Sequence, residues 1–324
     1  MILLVLSIDA ECDKDQNWNV KRPMSFTNII SGIPQRLTPL FGKYKIKPTY
    51  LISPEVLNDE DSVSLLKSMK NCELGTHLHC EFIDPDANFN SITTLRTQNT
   101  LTYEIEYKKI SNLTDLFKKR FNYSPLSFRA GRFGISNNTL KILSKLGYRI
   151  DSSVVPFRNQ EYNSVKQSFF GAPLKPYYPS TDNYNRKGNS NILEVPVSHF
   201  IDGFEYWPPF ILRQLPRYNN LFLRILKRFG KKVEKTWIRP NRLDSIELSD
   251  ATKKMIKTYF RKEENIIINI MFHSNEIMEG CSPYCSDTND VDNYINSLDK
   301  YFDDLFTNYQ IHPISLSESI EFFQ

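Results

Sequence analysis

Ile2-Leu3-Leu4-Val5-Leu6-Ser7-Ile8-Asp9-Ala10-Glu11 is the stretch on which the fold turns. It runs from Ile2 to Ile8 without a charge and then gives way to two carboxylates. A strand wetted on one face alternates apolar and polar residues, whereas one covered on both faces stays apolar throughout. The run therefore reads as an inner strand of a parallel sheet, with its polar end where the chain leaves the sheet.

The same signature recurs at Pro48–Ser53, Glu73–Thr76, Leu126–Arg129, Arg149–Ser152, Ile192–Ser198, Ile266–Phe272 and Pro313–Ser315. Helical patterns lie between. Ser136 is placed to cap a helix that carries Leu140, Leu143 and Leu146 on one face and stops at Gly147. Val291–Tyr309 repeats apolar residues at helical spacing. Such alternation is that of βα units wound around a parallel sheet or barrel, with seven to eight mostly parallel strands. A length of 324 residues suits one such domain over 1–324. Two stretches break the rhythm. Pro156–Asn191, rich in Tyr, Asn, Pro and Ser, reads as long loops. The region 202–245 reads as an insertion with a basic helix. Leu221, Phe222, Ile225, Leu226 and Phe229 form its apolar stripe, and Arg213, Arg217, Arg224, Lys227, Arg228, Lys231, Lys232, Lys235, Arg239 and Arg242 supply its charge.

Composition excludes some classes. With 40% hydrophobic and 24% charged residues the chain folds and is not disordered. A net charge of +4 gives no ground for a nucleic-acid partner. Five cysteines at irregular spacing are no disulfide framework, and the lone pair Cys281/Cys285 lacks a second pair to complete a zinc site. No run approaches the roughly 18 apolar residues of a membrane span. The first apolar run has the length of a strand with no basic residues before it, which reads against a signal peptide and for a cytoplasmic protein. The basic helix, if it lies at an anionic surface, adds a peripheral contact with inner-leaflet lipid or with a lipid-linked substrate.

Active sites of barrels gather at the C-terminal ends of strands, and five of the predicted strands end in residues able to do chemistry. Asp9 and Glu11, two apart in an extended segment, face one way; two carboxylates together call for a cation or a shared proton. Gly75-Thr76-His77-Leu78-His79-Cys80-Glu81 ends the third strand. His77 and His79 share a face if the chain is extended, His77 and Glu81 if a helix begins; either pair suits a divalent metal. Phe128-Arg129-Ala130-Gly131-Arg132-Phe133-Gly134 follows the fourth, with a guanidinium for a carboxylate and two glycines that let the backbone approach a ligand. Asp151-Ser152-Ser153 closes the fifth. His273 follows the buried strand Ile266–Phe272 directly. His199 and His312 read first as structural.

Taken in order, these segments resemble the polysaccharide deacetylases, the NodB homology group or carbohydrate esterase family 4. Ser7–Glu11 is similar to the family's first motif, Gly75–Glu81 to its metal-binding His motif, Phe128–Gly134 to its Arg motif, Asp151–Ser153 to its fourth and Met271–His273 to its last. The segments Ile192–Ser198 and His273–Tyr284 resemble the branch associated with surface-polysaccharide gene clusters. The chain departs from the pattern in three places: Ala10 separates the two carboxylates, Glu81 stands where the second metal His is usual and His79 is extra, and Met271 replaces a Leu.

The resemblance implies a distorted (β/α) barrel and a metal-dependent deacetylase acting on an acetylated amino sugar or glycan. It implies one divalent ion, Zn²⁺ or else Co²⁺, Mn²⁺ or Ni²⁺, held by Glu11 and His77 with His79 or Glu81. Asp9 is then the base that takes a proton from water, oriented by Arg129. His273 is the acid, steered by Asp151, and backbone N–H groups near Arg132 and Phe133 face the oxyanion. Two other readings stay open: a barrel that kept its shape and binds glycan without chemistry, and a hydrolase of another C–N bond such as a cyclic amide.

Overall fold

In the computed structural model, residues 1–88, 97–162, 165–202, 228, 234–240, 244–261 and 263–323 are described. The first apolar run becomes β1 (Ile2–Ala10), buried along its whole length. It is followed by β2 (Thr49–Ile52), β3 (Glu73–Leu78), β4 (Ser127–Ala130), β5 (Ile150–Asp151), β6 (Leu193–Glu194), β7 (Ile266–His273) and β8 (Ile311–Pro313). The strands lie in the order β6-β5-β4-β3-β2-β1-β7, every neighbouring pair parallel. The eighth strand pairs with the lower half of β1 at Ile2–Leu4, below the segment Ser7–Ala10 that β2 occupies. This is the distorted (β/α) barrel, and all eight predicted strands are present in it.

Two boundaries move for a physical reason. Strand six shrinks from the expected Ile192–Ser198 to Leu193–Glu194. Pro196 has no N–H to give a ladder, and the Asn269 side chain of β7 takes the carbonyls of Val195 and Pro196 at 3.1 and 3.3 Å. Ser198 N–H then donates to the Asn269 carbonyl at 2.9 Å, and Asn269 N–H donates back to Ser198 Oγ at 2.9 Å. One backbone bond and the side chains of Asn269 and Ser198 thus bridge the gap between β6 and β7. The last strand sits two residues earlier than expected, at Ile311–Pro313, and Ile314 N–H closes it by donating to Leu4 O at 3.0 Å.

Helices Tyr103–Phe121, Asn137–Leu146, Ser245–Tyr259 and Thr288–Asn308 belong to the outer layer. Asn137–Leu146 begins and ends as its residues dictate. Ser136 Oγ accepts from Asn138 and Thr139 N–H at 3.1 and 3.2 Å, and Gly147 takes the left-handed φ of 87° that ends the helix. The final helix starts earlier than the apolar pattern suggests, because Asp287 caps it by accepting from Asp290 N–H at 2.9 Å. The stretch expected as long loops instead forms two hairpins, Asn159–Tyr162 with Val165–Ser168 and Pro179–Ser180 with Asn183–Lys187. Most of the residues in these hairpins are polar, so no apolar alternation announces them. The insertion is entered and left through an antiparallel ribbon, His199–Asp202 with Glu234–Trp237. The basic helix assigned to it lies outside the described residues.

Gly131 is a glycine by necessity. A Cβ there would stand 2.4 Å from the Leu78 carbonyl oxygen, where the ends of β3 and β4 press together. The close approach is to the protein's own backbone, not to a ligand as the sequence suggests. Gly131→Ala is expected to cost on the order of 1–3 kcal/mol through overpacking. Gly42→Ala, on a helix with nothing within 4 Å of the added carbon, is expected to be neutral or to stabilise by up to about 1 kcal/mol. Thermal melting of both variants checks the pair; equal effects would contradict it.

Candidate active site

Arg129 organises the barrel end. It lies on β4, wholly buried, and spends its guanidinium inside the protein. Nη1 donates to Asp9 Oδ1 at 2.6 Å, Nη2 to Ser7 Oγ at 2.7 Å and Ser152 Oγ at 2.9 Å, and Nε to Ser152 O at 2.7 Å. Ser7 Oγ and Ser152 Oγ in turn meet the Asn269 amide at 2.7 and 3.0 Å. A satisfied network of this kind is rigid, so Asp9 is fixed with Oδ2 facing outward. Burial would raise the Asp9 carboxyl, but Arg129, His77 and His273 outweigh it and hold it below the usual range.

The metal-type donors meet beside it. Glu11 Oε1 lies 3.1 Å from His77 Nε2 and 3.0 Å from His79 Nε2, and the two Nε2 atoms are 3.1 Å apart. Behind the triangle each ring is held by its other nitrogen. His77 Nδ1–H donates to Arg129 O at 3.1 Å, and His79 Nδ1–H faces Glu81 Oε1 at 3.4 Å. Both Nε2 lone pairs then point inward at each other and at a carboxylate, an arrangement that requires a proton or a cation between them. Four-coordinate zinc with ligands at about 2.0–2.1 Å places its donors roughly 3.3 Å apart, so the triangle fits such an ion. The extended alternative for His77 and His79 is the one observed. Glu81 is turned away: Arg132 Nη2 donates to its Oε1 at 2.5 Å, which with His79 holds the carboxyl well below its usual range against burial. Lys109, buried on helix Tyr103–Phe121, fixes the loop that carries Glu81 by donating to the carbonyls of Cys80 and Ile83 at 2.9 and 2.6 Å.

Without an ion the triangle must hold a proton. Burial disfavours charge on His79, yet the Glu11 and Glu81 carboxylates push its imidazole up to about 9. A folded-state value above the unfolded one near 6.5 adds stability that is complete below that lower value and is lost as pH rises through about 9. Metal-free protein is therefore expected to lose thermal stability between those limits, and His79→Gln to flatten the loss. A melting curve unchanged across the window would contradict this.

His273 closes the far side, with Nε2 at 3.9 Å from both Asp9 Oδ2 and Glu11 Oε1. Its Nδ1 lies 2.8 Å from Glu276 Oε1 and 2.9 Å from Arg239 Nη2, and Arg239 also pairs with Glu276. Asp151, assigned from the sequence to steer this ring, is elsewhere. It accepts from Ser153 Oγ at 2.6 Å and sits beside Glu194 on β6, and burial raises both carboxyls. Glu276 holds the place instead, and the spacing His273-x-x-Glu276 is the signal that could have marked it. Arg239, counted with the solvated charge of the insertion, is 5% exposed and lies on the cavity wall.

The cavity over these groups measures about 420 Å³. Arg132 and Phe133 lie on its wall with left-handed φ of 54° and 57°. The loop after β1 folds back over the cavity through an antiparallel bridge between Lys14 and Val20. Asp13 anchors that loop by accepting from Thr27 N–H at 2.9 Å and Asn28 N–H at 3.0 Å. Lys14, buried, puts its ammonium on Glu11 Oε2, and Trp18 packs its ring 5.0 Å from His273 and 5.9 Å from Tyr284. None of these loop residues stands out in the sequence, although Lys14 lies three residues from Glu11. His199 stays structural, with Nδ1 on Pro156 O and its ring edge-on to Trp237. The five cysteines are free thiols; Cys281 accepts from Lys21 Nζ at 3.2 Å. No helix among the described residues is long and apolar enough to cross a membrane.

No family model matches the sequence, and no curated protein does. Solved structures do match the shape. A Mycobacterium smegmatis protein described as a polysaccharide deacetylase aligns over 99% of this chain and 89% of its own, with TM-score 0.57 and 10% identity. A Puue allantoinase aligns over 98% and 88% with TM-score 0.52 and 11% identity. A GH57 branching enzyme from Thermococcus kodakaraensis aligns over 99% and 71% with TM-score 0.52 and 11% identity. Three differently named proteins on one architecture leave the chemistry to the residues; what the chain has in common with them is the distorted (β/α) barrel.

Proposed function

We propose that the chain is a divalent-metal-dependent hydrolase that removes an N-acetyl group from an amino sugar or glycan, yielding acetate and a free amine. The observation that carries the reading is the triangle of Glu11 Oε1, His77 Nε2 and His79 Nε2 at 3.0–3.1 Å, flanked by Asp9 Oδ2 and His273 Nε2. The triangle would hold the ion, and Glu81 orients His79 from behind. Bound there, Zn²⁺ or a similar ion supplies Lewis acidity to the acetyl carbonyl and its attacking water. Asp9, ionised and fixed by Arg129, takes the water's proton on Oδ2. His273, aligned by Glu276, gives a proton from Nε2 to the departing nitrogen. Trp18 and Tyr284 line the cavity wall where a sugar would lie.

The sequence likeness of Ile192–Ser198 and His273–Tyr284 to the surface-polysaccharide branch supports a role in building cell-surface glycan. Five free thiols suit a reducing compartment such as the cytoplasm. Release of acetate from acetylated amino sugars, measured with and without added Zn²⁺, Co²⁺ or Mn²⁺, tests the activity. Binding without release under every metal supports a glycan-binding barrel instead.

A further inference from the structure

Glu11 offers the donor triangle only half of its carboxylate. Oε1 faces His77 and His79, while Oε2 is taken by the ammonium of Lys14. A carboxylate with both oxygens at liberty can close on one cation with the pair of them. Held by one oxygen, Glu11 leaves the triangle with three donors. Three is the number of protein ligands in a catalytic zinc site whose fourth position belongs to water.

The loop after β1 is built to keep Lys14 in that place. The residue is 9% exposed, and ordering so long a side chain costs more entropy than ordering almost any other. The backbone on either side is tied down. Asp13 N–H donates to Ser25 O at 2.8 Å, and the Asp13 carbonyl accepts from Lys21 N–H at 3.2 Å. Asp15 N–H donates to Asn19 O at 2.8 Å, and Asp15 Oδ1 accepts from the N–H groups of Asn17 and Asn19 at 2.7 and 2.9 Å. Between them Lys14 bridges Val20. The Trp18 ring centre lies 5.8 Å from the ammonium, within reach of a cation–π contact.

The charge has its own consequence. Two of the three donors are imidazoles, and the third is a carboxylate already offset by Lys14. A divalent ion is held less tightly by such a set than by the same donors without the ammonium, because like charges a few ångström apart repel.

We infer that Lys14 is a positioning residue for the metal site: by holding Glu11 Oε2 it restricts Glu11 to ligation through one oxygen and reserves the fourth place on the ion for water. The inference rests on the reading of Glu11, His77 and His79 as metal ligands.

Its test compares the unaltered chain with Lys14→Met, which keeps the stem and removes the charge, and with Lys14→Arg, which keeps the charge. Each is titrated with Zn²⁺ against a chelating dye. Lys14→Met is expected to bind Zn²⁺ at least about tenfold tighter, since a like charge beside a divalent ion has gone. Lys14→Arg should bind it no tighter than the unaltered chain. A lysine that only packed the loop would give the opposite sign, because a loosened loop disturbs Glu11 and weakens the site. Each protein is also loaded with Co²⁺ and its visible spectrum followed as imidazole is added. Imidazole is neutral, so its approach is not steered by the charge of Lys14. The unaltered chain should respond as imidazole takes the open place, and Lys14→Met should lose that response. Zn²⁺ affinity in Lys14→Met no higher than in the unaltered chain, tighter binding in Lys14→Arg, or an imidazole response intact in Lys14→Met overturns the inference. If Lys14→Met fails to fold, a Co²⁺ spectrum of the unaltered chain indifferent to imidazole overturns it. All samples are assayed for acetate release from N-acetylglucosamine oligomers in parallel. The expected metal pattern without acetate release sinks the deacetylase reading alone. Acetate release with metal affinity unmoved in Lys14→Met sinks this inference alone.

Discussion

Asp9→Asn is expected to lower acetate release on the order of 10²–10⁴-fold while the protein keeps its metal, because a positioned base contributes about that much. The substitution conserves shape, and Asn can still accept from Arg129 Nη1 through its carbonyl oxygen. What it cannot do is take a proton. The carboxyl is competent for that task because Arg129, His77 and His273 hold it ionised against burial. Removing its charge leaves the buried Arg129 hydrogen-bonded to neutral groups, Ser7 and Ser152, and breaking such a pair costs on the order of 3–5 kcal/mol. Melting temperature must therefore be followed beside turnover. Glu11→Ala is the contrast. Glu11 Oε1 touches both imidazoles, so its loss should empty the site of metal first and of activity as a consequence. If Asp9→Asn abolishes metal binding and Glu11→Ala spares it, the two carboxylates have been given each other's work.

The parts of this molecule legible in the sequence are those set by short-range physics. Apolar continuity from Ile2 to Ile8 names a doubly covered strand whatever lies around it, and the structure buries every residue of β1. Ser136 and Gly147 mark helix ends because capping is local. Strand ends then place Asp9, Glu11, His77, His79, Arg129 and His273 at one mouth of the barrel, as parallel topology requires. The rest depends on partners far away in the chain. Whether His79 or Glu81 faces the donor triangle is decided by Arg132, 51 residues from Glu81. Arg239 looks like one more charge in a basic segment, and only the fold brings it to Glu276, 37 residues on. Asp151 depends on a distant partner in the same way: the neighbouring strand supplies Glu194, and the two buried carboxyls face one another.

His77→Ala is expected to reduce bound divalent metal from one ion per chain to none after incubation with Zn²⁺, Co²⁺ or Mn²⁺ and desalting. The argument is geometric. His77 Nε2 lies 3.1 Å from both Glu11 Oε1 and His79 Nε2, so removing it leaves two donors, one of them a carboxylate half occupied by Lys14. The same experiment ranks the supporting residues. His79→Ala takes away a donor and should weaken binding at least about 100-fold. Glu81→Ala takes away only the group that orients His79 Nδ1, and loss of such an outer partner weakens metal sites by about 10–100-fold. Loss of the His79 donor is thus expected to exceed loss of the Glu81 carboxylate. The reverse order would make Glu81 the ligand and His79 its neighbour, which needs Arg132 to release the carboxylate it holds at 2.5 Å. An unaltered chain that retains no ion under any of the three metals would remove the centre of the proposed mechanism, and Asp9 and His273 would then face each other across a site whose cation is the proton on His79.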